Sequence, residues 1–269
     1  MKYLDHAATT PMRQVAIDAW VEHAGALNPG AQHAAGRHAH AVLADAREQV
    51  AELLGADPVE VIFTGSGTEA DNIAVRGLYY AMRGEQGDRV VCSPVEHSAV
   101  LETVKALDAE HVDWLPVGDD GHLTDLGALD SPAAVAAVMW ANNETGALQP
   151  VEEVVRRATR QNTPVHVDAV QAVGKVPVHF HRLGATTLAA SAHKFGGPRG
   201  TGLLLAKRSP APTASIHGGG QERGLRPGTV DVASAAATAA ALAEACAEME
   251  RERVHVKQLR DALIVGVRR

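Results

Sequence analysis

The chain has 269 residues, 46% of them hydrophobic but only 3% aromatic, so a substantial core has to be built from Ala, Val and Leu. A formal net charge of −7 without any long basic run argues against nucleic-acid binding through a broad basic face. Two cysteines, Cys92 and Cys246, form neither a disulfide framework nor a Cys-x-x-Cys pair and suit a reducing cytoplasm.

The N-terminus, Met1-Lys2-Tyr3-Leu4-Asp5-His6, is too polar for a signal peptide, and the longest apolar run, 133–141, is too short to span a bilayer. A helical pattern covers 32–54, followed by a strand over 59–64 and a helix over 69–82. Strands are expected at 89–92, 112–115, 135–140 and 164–167, with helices at 100–107 and 151–159 between them. The runs 186–190 and 203–206 read as two further buried strands. Beyond residue 228 the chain becomes one long alanine-rich helix, broken or continued near 251–267. This βα rhythm predicts an α/β domain with a largely parallel sheet.

Between the runs 186–190 and 203–206 lies Ser191-Ala192-His193-Lys194-Phe195-Gly196-Gly197-Pro198-Arg199-Gly200-Thr201-Gly202, a lysine in a glycine-rich turn. Lys194 is either an ordinary loop lysine or one that is desolvated and chemically used, since burial lowers an ammonium's pKa and a neutral amine attacks carbonyls. Upstream, the strand 164–167 runs into Asp168, with Gln171 three positions on. A pyridoxal phosphate site needs these parts: a lysine for the Schiff base and an acid that keeps the pyridine nitrogen protonated. In a parallel sheet the two strand ends face one crevice.

Other stretches have a functional and a plain reading each. Thr64-Gly65-Ser66-Gly67-Thr68-Glu69-Ala70-Asp71-Asn72 joins a strand to a helix and is either a phosphate cradle or a turn capped by Thr68. It matches neither the dinucleotide nor the P-loop pattern. His97 either faces a flat cofactor or caps the next helix. Asn142 and Asn143 either bond a ligand or make a turn. The loop His217-Gly218-Gly219-Gly220-Gln221-Glu222-Arg223-Gly224-Leu225-Arg226-Pro227-Gly228-Thr229 carries groups for an anion, or links into the long helix. Fourteen histidines show no metal-ligand spacing, and no metal site is expected.

Taken with Tyr3-Leu4-Asp5-His6-Ala7-Ala8-Thr9-Thr10-Pro11, Glu96-His97, Asn142-Asn143-Glu144-Thr145-Gly146 and His166-Val167-Asp168-Ala169-Val170-Gln171, these stretches resemble, in order, the cysteine desulfurases. These are class-V aminotransferase-type enzymes of fold type I that use pyridoxal 5'-phosphate. The resemblance covers essentially the whole chain and is nearest to the bacterial housekeeping enzymes that feed iron–sulfur assembly and tRNA thiolation. It implies a mainly parallel, seven-stranded mixed sheet flanked by helices. It also implies a segment 1–15 belonging to a small domain or interface, a large cofactor domain over 16–250, and the start of a small domain at 251–269.

The resemblance implies roles residue by residue. Lys194 forms the Schiff base, Asp168 pairs with the pyridine nitrogen, Gln171 bonds the ring's phenolic oxygen, and His97 stacks on the ring and moves protons. Asn143 contacts the cofactor on the substrate side, and Gly67, Thr68, Ser191 and His193 hold the phosphate. Thr229 reaches the phosphate of the other subunit of a homodimer. Asn28 and His33 lie near the substrate, although Gly30-Ala31 stands where serines are more usual. The implied partners are L-cysteine or a similar amino acid, a second copy of the chain and a sulfur-acceptor protein, with no nucleic acid and no membrane. The family's C-terminal segment, with its sulfur-accepting cysteine and carboxylate-binding arginine, is expected to be missing because the chain stops at Arg269. Enzyme-like desulfuration is therefore not expected of this chain alone. The alternatives are a selenocysteine lyase, an aminotransferase, or a non-catalytic cofactor-binding scaffold that dimerises.

Overall fold

Side chains alternate across a strand, so each strand offers one set of residues to each face of its sheet. In the computed structural model, which describes residues 2–107, 109 and 111–267, that alternation decides which helices cover each face of the sheet. In chain order the elements are α1 (Gln14–His23), α2 (Ala34–Leu54), β1 (Val61–Thr64), α3 (Gly67–Gln86), β2 (Arg89–Cys92), α4 (Ser98–Lys105) and β3 (His111–Trp114). There follow β4 (Val135–Met139), α5 (Val151–Arg160), β5 (Val165–Asp168), α6 (Phe180–Leu183), β6 (Thr187–Ser191), β7 (Gly202–Ala206) and α7 (Val232–Val267).

The seven strands form one sheet in the order β1-β7-β6-β5-β4-β2-β3. The pairs β2–β3, β2–β4, β4–β5 and β5–β6 are parallel. Strand β7 runs against both neighbours, so β1, beyond it, points the same way as β6. Val61, Phe63, Ala136, Val138, Val165, Val167, Leu188, Ala190, Leu203 and Leu205 meet the buried sides of α2, α5 and α7 on one face. On the other, Ile62, Ala189, Leu204 and Ala206 pack on Ala70, Ile73 and Ala74 of α3, and Val90, Cys92, Val135 and Ala137 pack on α3 and α4. The prevalence of small side chains lets these helices lie close to the sheet without aromatic filling.

The structure adds two helices to the sequence reading. Helix α1 buries only Ala16 fully, so it carries little apolar periodicity, and it is held by packing on α7. Helix α6 is a single turn whose N-terminus is capped by the His179 side chain. The alanine-rich helix is continuous: α7 runs through 251–267 without a break, and the expected boundary at 250/251 falls inside it. By length and composition α7 could cross a membrane, but 56% of its most apolar window is buried within the molecule. Its exposed half presents Val254, Val256, Leu259, Leu263 and Ile264.

Candidate active site

Because β1, β2, β4, β5 and β6 point the same way, their C-terminal ends and the loops that follow share one edge of the sheet, where α/β proteins place ligands. A cavity of about 520 Å³ lies there. Lys194, Asp168, His97, Asn143, Gln171, Gly67, Thr68, Ser191 and His193 all line it. The lysine, acid and small-residue turn read from the sequence are thus brought together by topology, although they are up to 127 positions apart, counting from Gly67 to Lys194.

Each side chain is set by its element. Asp168 ends β5, on the face that α3 covers, and is buried. Its Oδ1 accepts from Val170 N at 2.9 Å. Burial, reinforced by the nearby Asp71 carboxyl, pushes its pKa up to about 7, while that hydrogen bond and the His166 and His97 rings pull it down. A buried carboxyl in this state gains strongly from a cationic partner. Lys194 lies in the turn that leaves β6. Its Nζ donates to the carbonyls of Ala7 and, at 3.0 Å, of Ala8. Burial lowers its pKa, and Asp168, Asp5 and Glu144 act against that.

At the opposite end stands the N-terminus of α3. Ser66, not Thr68, is the cap: its Oγ accepts from Glu69 N at 3.0 Å, which leaves Thr68 inside the first turn. First-turn N–H groups have no partner within a helix and favour an anion. Gly67 is required by close approach, since a Cβ there would stand 2.8 Å from Val170 Cγ2 and 3.1 Å from Ser191 Cβ. His193 Nδ1 lies 3.0 Å from Thr9 Oγ1, and burial, with Lys194 next, keeps the ring's pKa low.

His97 caps its helix and also stands in the cavity wall. Its Nδ1 accepts from Ala99 N at 3.1 Å and caps α4, while the ring lines the cavity. Of the two amides, Asn142 makes the turn, holding Glu144 N and Thr145 N on its Oδ1 and donating to Val95 O, and only Asn143 lines the cavity. Gln171 is bonded on both sides, by Nε2 to Ala7 O at 2.8 Å and by Oε1 from Lys175 Nζ at 2.5 Å.

Three residues of the sequence reading lie away from the cavity. Asn28 turns its own loop, accepting from Gly30 N at 2.9 Å, and His33 caps α2 by accepting from Gly36 N. Thr229 is exposed in the loop before α7. Conversely, the structure brings in Asp5, Ala7, Ala8, Ser66, Asp71, Met139, Glu144 and Val170, which the residue-by-residue reading did not assign. The Asp5–Ala8 stretch stood in the motif at the chain's start, but Ala7 and Ala8 act through carbonyls, for which side-chain type gives no signal.

The donor set fits pyridoxal phosphate. The lining offers what each part of that group would need: a helix start and Ser191 for its anionic end, a buried carboxyl for its pyridine nitrogen, a primary amine for its aldehyde, and an imidazole beside them.

Comparison with known proteins agrees with this geometry. The aminotransferase class-V family model matches residues 2–267. The IscS-like cysteine desulfurase of Mycobacterium tuberculosis is 44% identical over 278 residues, an overlap that takes in 99% of this chain and 71% of the relative. Cysteine desulfurase IscS of Dictyoglomus turgidum is 38% identical, covering 97% of this chain and 68% of the relative. Among solved structures, a NifS-like protein superposes with a TM-score of 0.93 at 35% identity, over 98% of this chain and 75% of the other. SspA in complex with cysteine superposes with a TM-score of 0.84 at 29% identity, over 90% and 72%. The chain therefore belongs to the class-V aminotransferase family and, within it, to the pyridoxal phosphate-dependent cysteine desulfurases.

Proposed function

We propose that Lys194 carries the cofactor and that the cavity takes L-cysteine, from which it releases sulfur to a thiol and leaves L-alanine. The observation that carries this reading is the meeting of Lys194, Asp168 and the α3 N-terminus in one cavity. Pyridoxal phosphate supplies an electron sink for bonds broken at the substrate's Cα. Asp168 holds the pyridine nitrogen in its cationic form. Gly67, Thr68, Ser191 and His193 would hold the phosphate, Gln171 would bond the ring's phenolic oxygen, and Asn143 would contact the cofactor on the substrate side. Lys194 would hold the cofactor's aldehyde and, as a free amine, would take up or deliver the proton at the substrate's Cα. His97, with Nδ1 committed to Ala99 N, has Nε2 for proton exchange.

The sulfur step needs a thiolate that reaches the substrate's sulfur. Neither of the chain's two cysteines lines the cavity. Cys92 is buried, and burial with Glu96 nearby raises its pKa well above the ordinary value. Cys246 is half-buried in α7, and burial raises its pKa too. An acceptor thiol from another molecule is part of this reading, as is a homodimer in which Thr229, Asn28 and His33 approach the partner's cavity. The two unpaired cysteines suit a cytoplasmic setting.

The test supplies the cofactor-loaded chain with L-cysteine, with and without a small external thiol, and measures alanine, sulfide and protein persulfide. Alanine is expected over several turnovers only with the thiol, at rates unchanged in Cys92→Ala and Cys246→Ala. Persulfide on either cysteine, with turnover lost in the matching variant, would contradict the acceptor assignment. Amino transfer to a keto acid without sulfide would contradict the desulfurase reading of this chain.

A further inference from the structure

From Asp71, which lines the cavity, to His166 and Thr187 beneath its floor, three polar side chains cross the contact between α3 and the sheet. His166 Nε2 lies 3.1 Å from Asp71 Oδ1, and His166 Nδ1 lies 3.0 Å from Thr187 Oγ1. All three residues are buried, among Ile62, Ala70, Ile73, Ala74, Ala189 and Leu204. Each sits just before or after a cofactor-facing residue on its own element. Asp71 is one helical turn beyond Gly67 and Thr68 on α3. His166 precedes Asp168 by two positions on β5 and therefore shares its face. Thr187 stands on the same face of β6 as Ser191, the residue that leads into the Lys194 turn.

We propose that Asp71, His166 and Thr187 are positioning residues for the cofactor, a buried hydrogen-bonded strut that holds the phosphate-binding helix start, the strand of the ring-pairing acid and the strand of the lysine in register. The proposal rests on the reading of the cavity as a pyridoxal phosphate site. Stability alone does not call for the strut. Well-packed apolar side chains in place of a buried polar group of this kind are often as stable or more so, whereas one unpartnered member costs about 1–3 kcal/mol. Directional bonds provide what dispersion does not, a fixed spacing between the elements they join. Across small side chains such as Ala70, Ala74 and Ala189, apolar packing leaves the slide of α3 along the sheet weakly specified.

The proposal includes an arrangement of the protons, in which the Asp71–His166 pair is neutral. Burial pushes the Asp71 pKa up to about 8 and the His166 pKa down to about 4, so at neutral pH both are uncharged. Asp71 then donates its O–H to His166 Nε2, and His166 Nδ1–H donates to Thr187 Oγ1.

The experiment compares the wild-type chain with Asp71→Asn, Asp71→Ala and Thr187→Val. Pyridoxal phosphate is titrated into each, and both the affinity and the absorption maximum of the bound cofactor are read. Asp71→Ala is expected to weaken binding roughly tenfold, about the worth of one buried hydrogen bond, and to shift the absorption maximum. The amide of Asp71→Asn still donates to Nε2, and binding is expected within about threefold of wild type with an unshifted spectrum. Nitrogen NMR of the His166 ring is expected to show the proton on Nδ1. Wild-type affinity and spectrum in Asp71→Ala would overturn the proposal, as would losses in Asp71→Asn equal to those in Asp71→Ala, or a ring proton on Nε2. Should Asp71→Ala not fold, unchanged affinity and spectrum in Thr187→Val would overturn it. A wild-type chain that takes up no cofactor would instead sink the cofactor reading on which the proposal rests.

Discussion

Asp71, Glu96 and Asp168 bring three carboxyls out of water on one side of the sheet, and their proton affinities follow from that. Glu96 accepts from Met139 N at 2.6 Å through Oε1, while its buried Oε2 has no hydrogen-bond partner among the described residues. Burial, with the Asp168 carboxyl next, raises its pKa well above the ordinary value. A carboxyl whose pKa is higher folded than unfolded binds more protons in the folded state, so folding weakens as pH rises between the two values. His166, depressed to about 4 from 6.5, acts oppositely, favouring folding as pH rises through that interval and adding nothing above it. From pH ~6.5 to ~8 the rising carboxyl term is therefore uncompensated, with Asp168 titrating near 7 and Asp71 near 8. The cofactor-free protein is predicted to lose stability over that interval, and Asp71→Asn to remove about 1–2 kcal/mol of the loss. Urea unfolding midpoints at the two pH values measure this. Identical pH slopes in the two proteins would show that Asp71 gives up its proton at the ordinary acidity.

Helix α3 joins the cavity to the sheet, because its first turn lines the cavity with Gly67 and Thr68 and its next turn reaches His166 on the sheet through Asp71. At its start the helix makes a close approach at Gly67. Gly67→Ala is predicted to fold, because alanine's better helix propensity of about 1 kcal/mol offsets part of the overpacking against Val170 and Ser191. The shifted helix start should nevertheless weaken cofactor binding by roughly tenfold or more. Cofactor titration beside a denaturation curve separates the two effects, and unchanged affinity would show that the close approach is incidental. The strands were legible in the sequence because each is a short apolar run bounded by turn residues, and the βα rhythm gave their mainly parallel arrangement. Lys194 and Asp168 were legible because polar groups at the ends of apolar strands have few other uses. Helix α1 was not, since its stability comes from contact with α7, more than two hundred residues away, rather than from its own pattern. The strut residue Asp71 read as an ordinary polar residue near a helix start, and only the packing of α3 on β5 shows its partner.

At the scale of the whole molecule, the two ends of the chain close around the lysine turn. Thr10 donates through N and Oγ1 to His193 O, and Arg13 N donates to Gly196 O at 2.8 Å. The Arg13 guanidinium then spans Phe195 O and the carboxylates of Glu244 and Glu248 on α7. The N-terminal segment, the Lys194 turn and α7 thus form one bonded unit, which sets Ala7 and Ala8 over the lysine amine. On the function proposed above, Lys194 rather than the nearby Lys175 meets the cofactor's aldehyde, because Lys194 lines the cavity, whereas Lys175 does not and donates its Nζ to Gln171 Oε1. The most direct measurement is borohydride reduction of the cofactor-loaded protein followed by peptide mass spectrometry. A single pyridoxyl group on Lys194, with the visible absorption of the bound cofactor lost on reduction, is the predicted result. A pyridoxyl group on Lys175 or another lysine, with Lys194 unmodified, would contradict it.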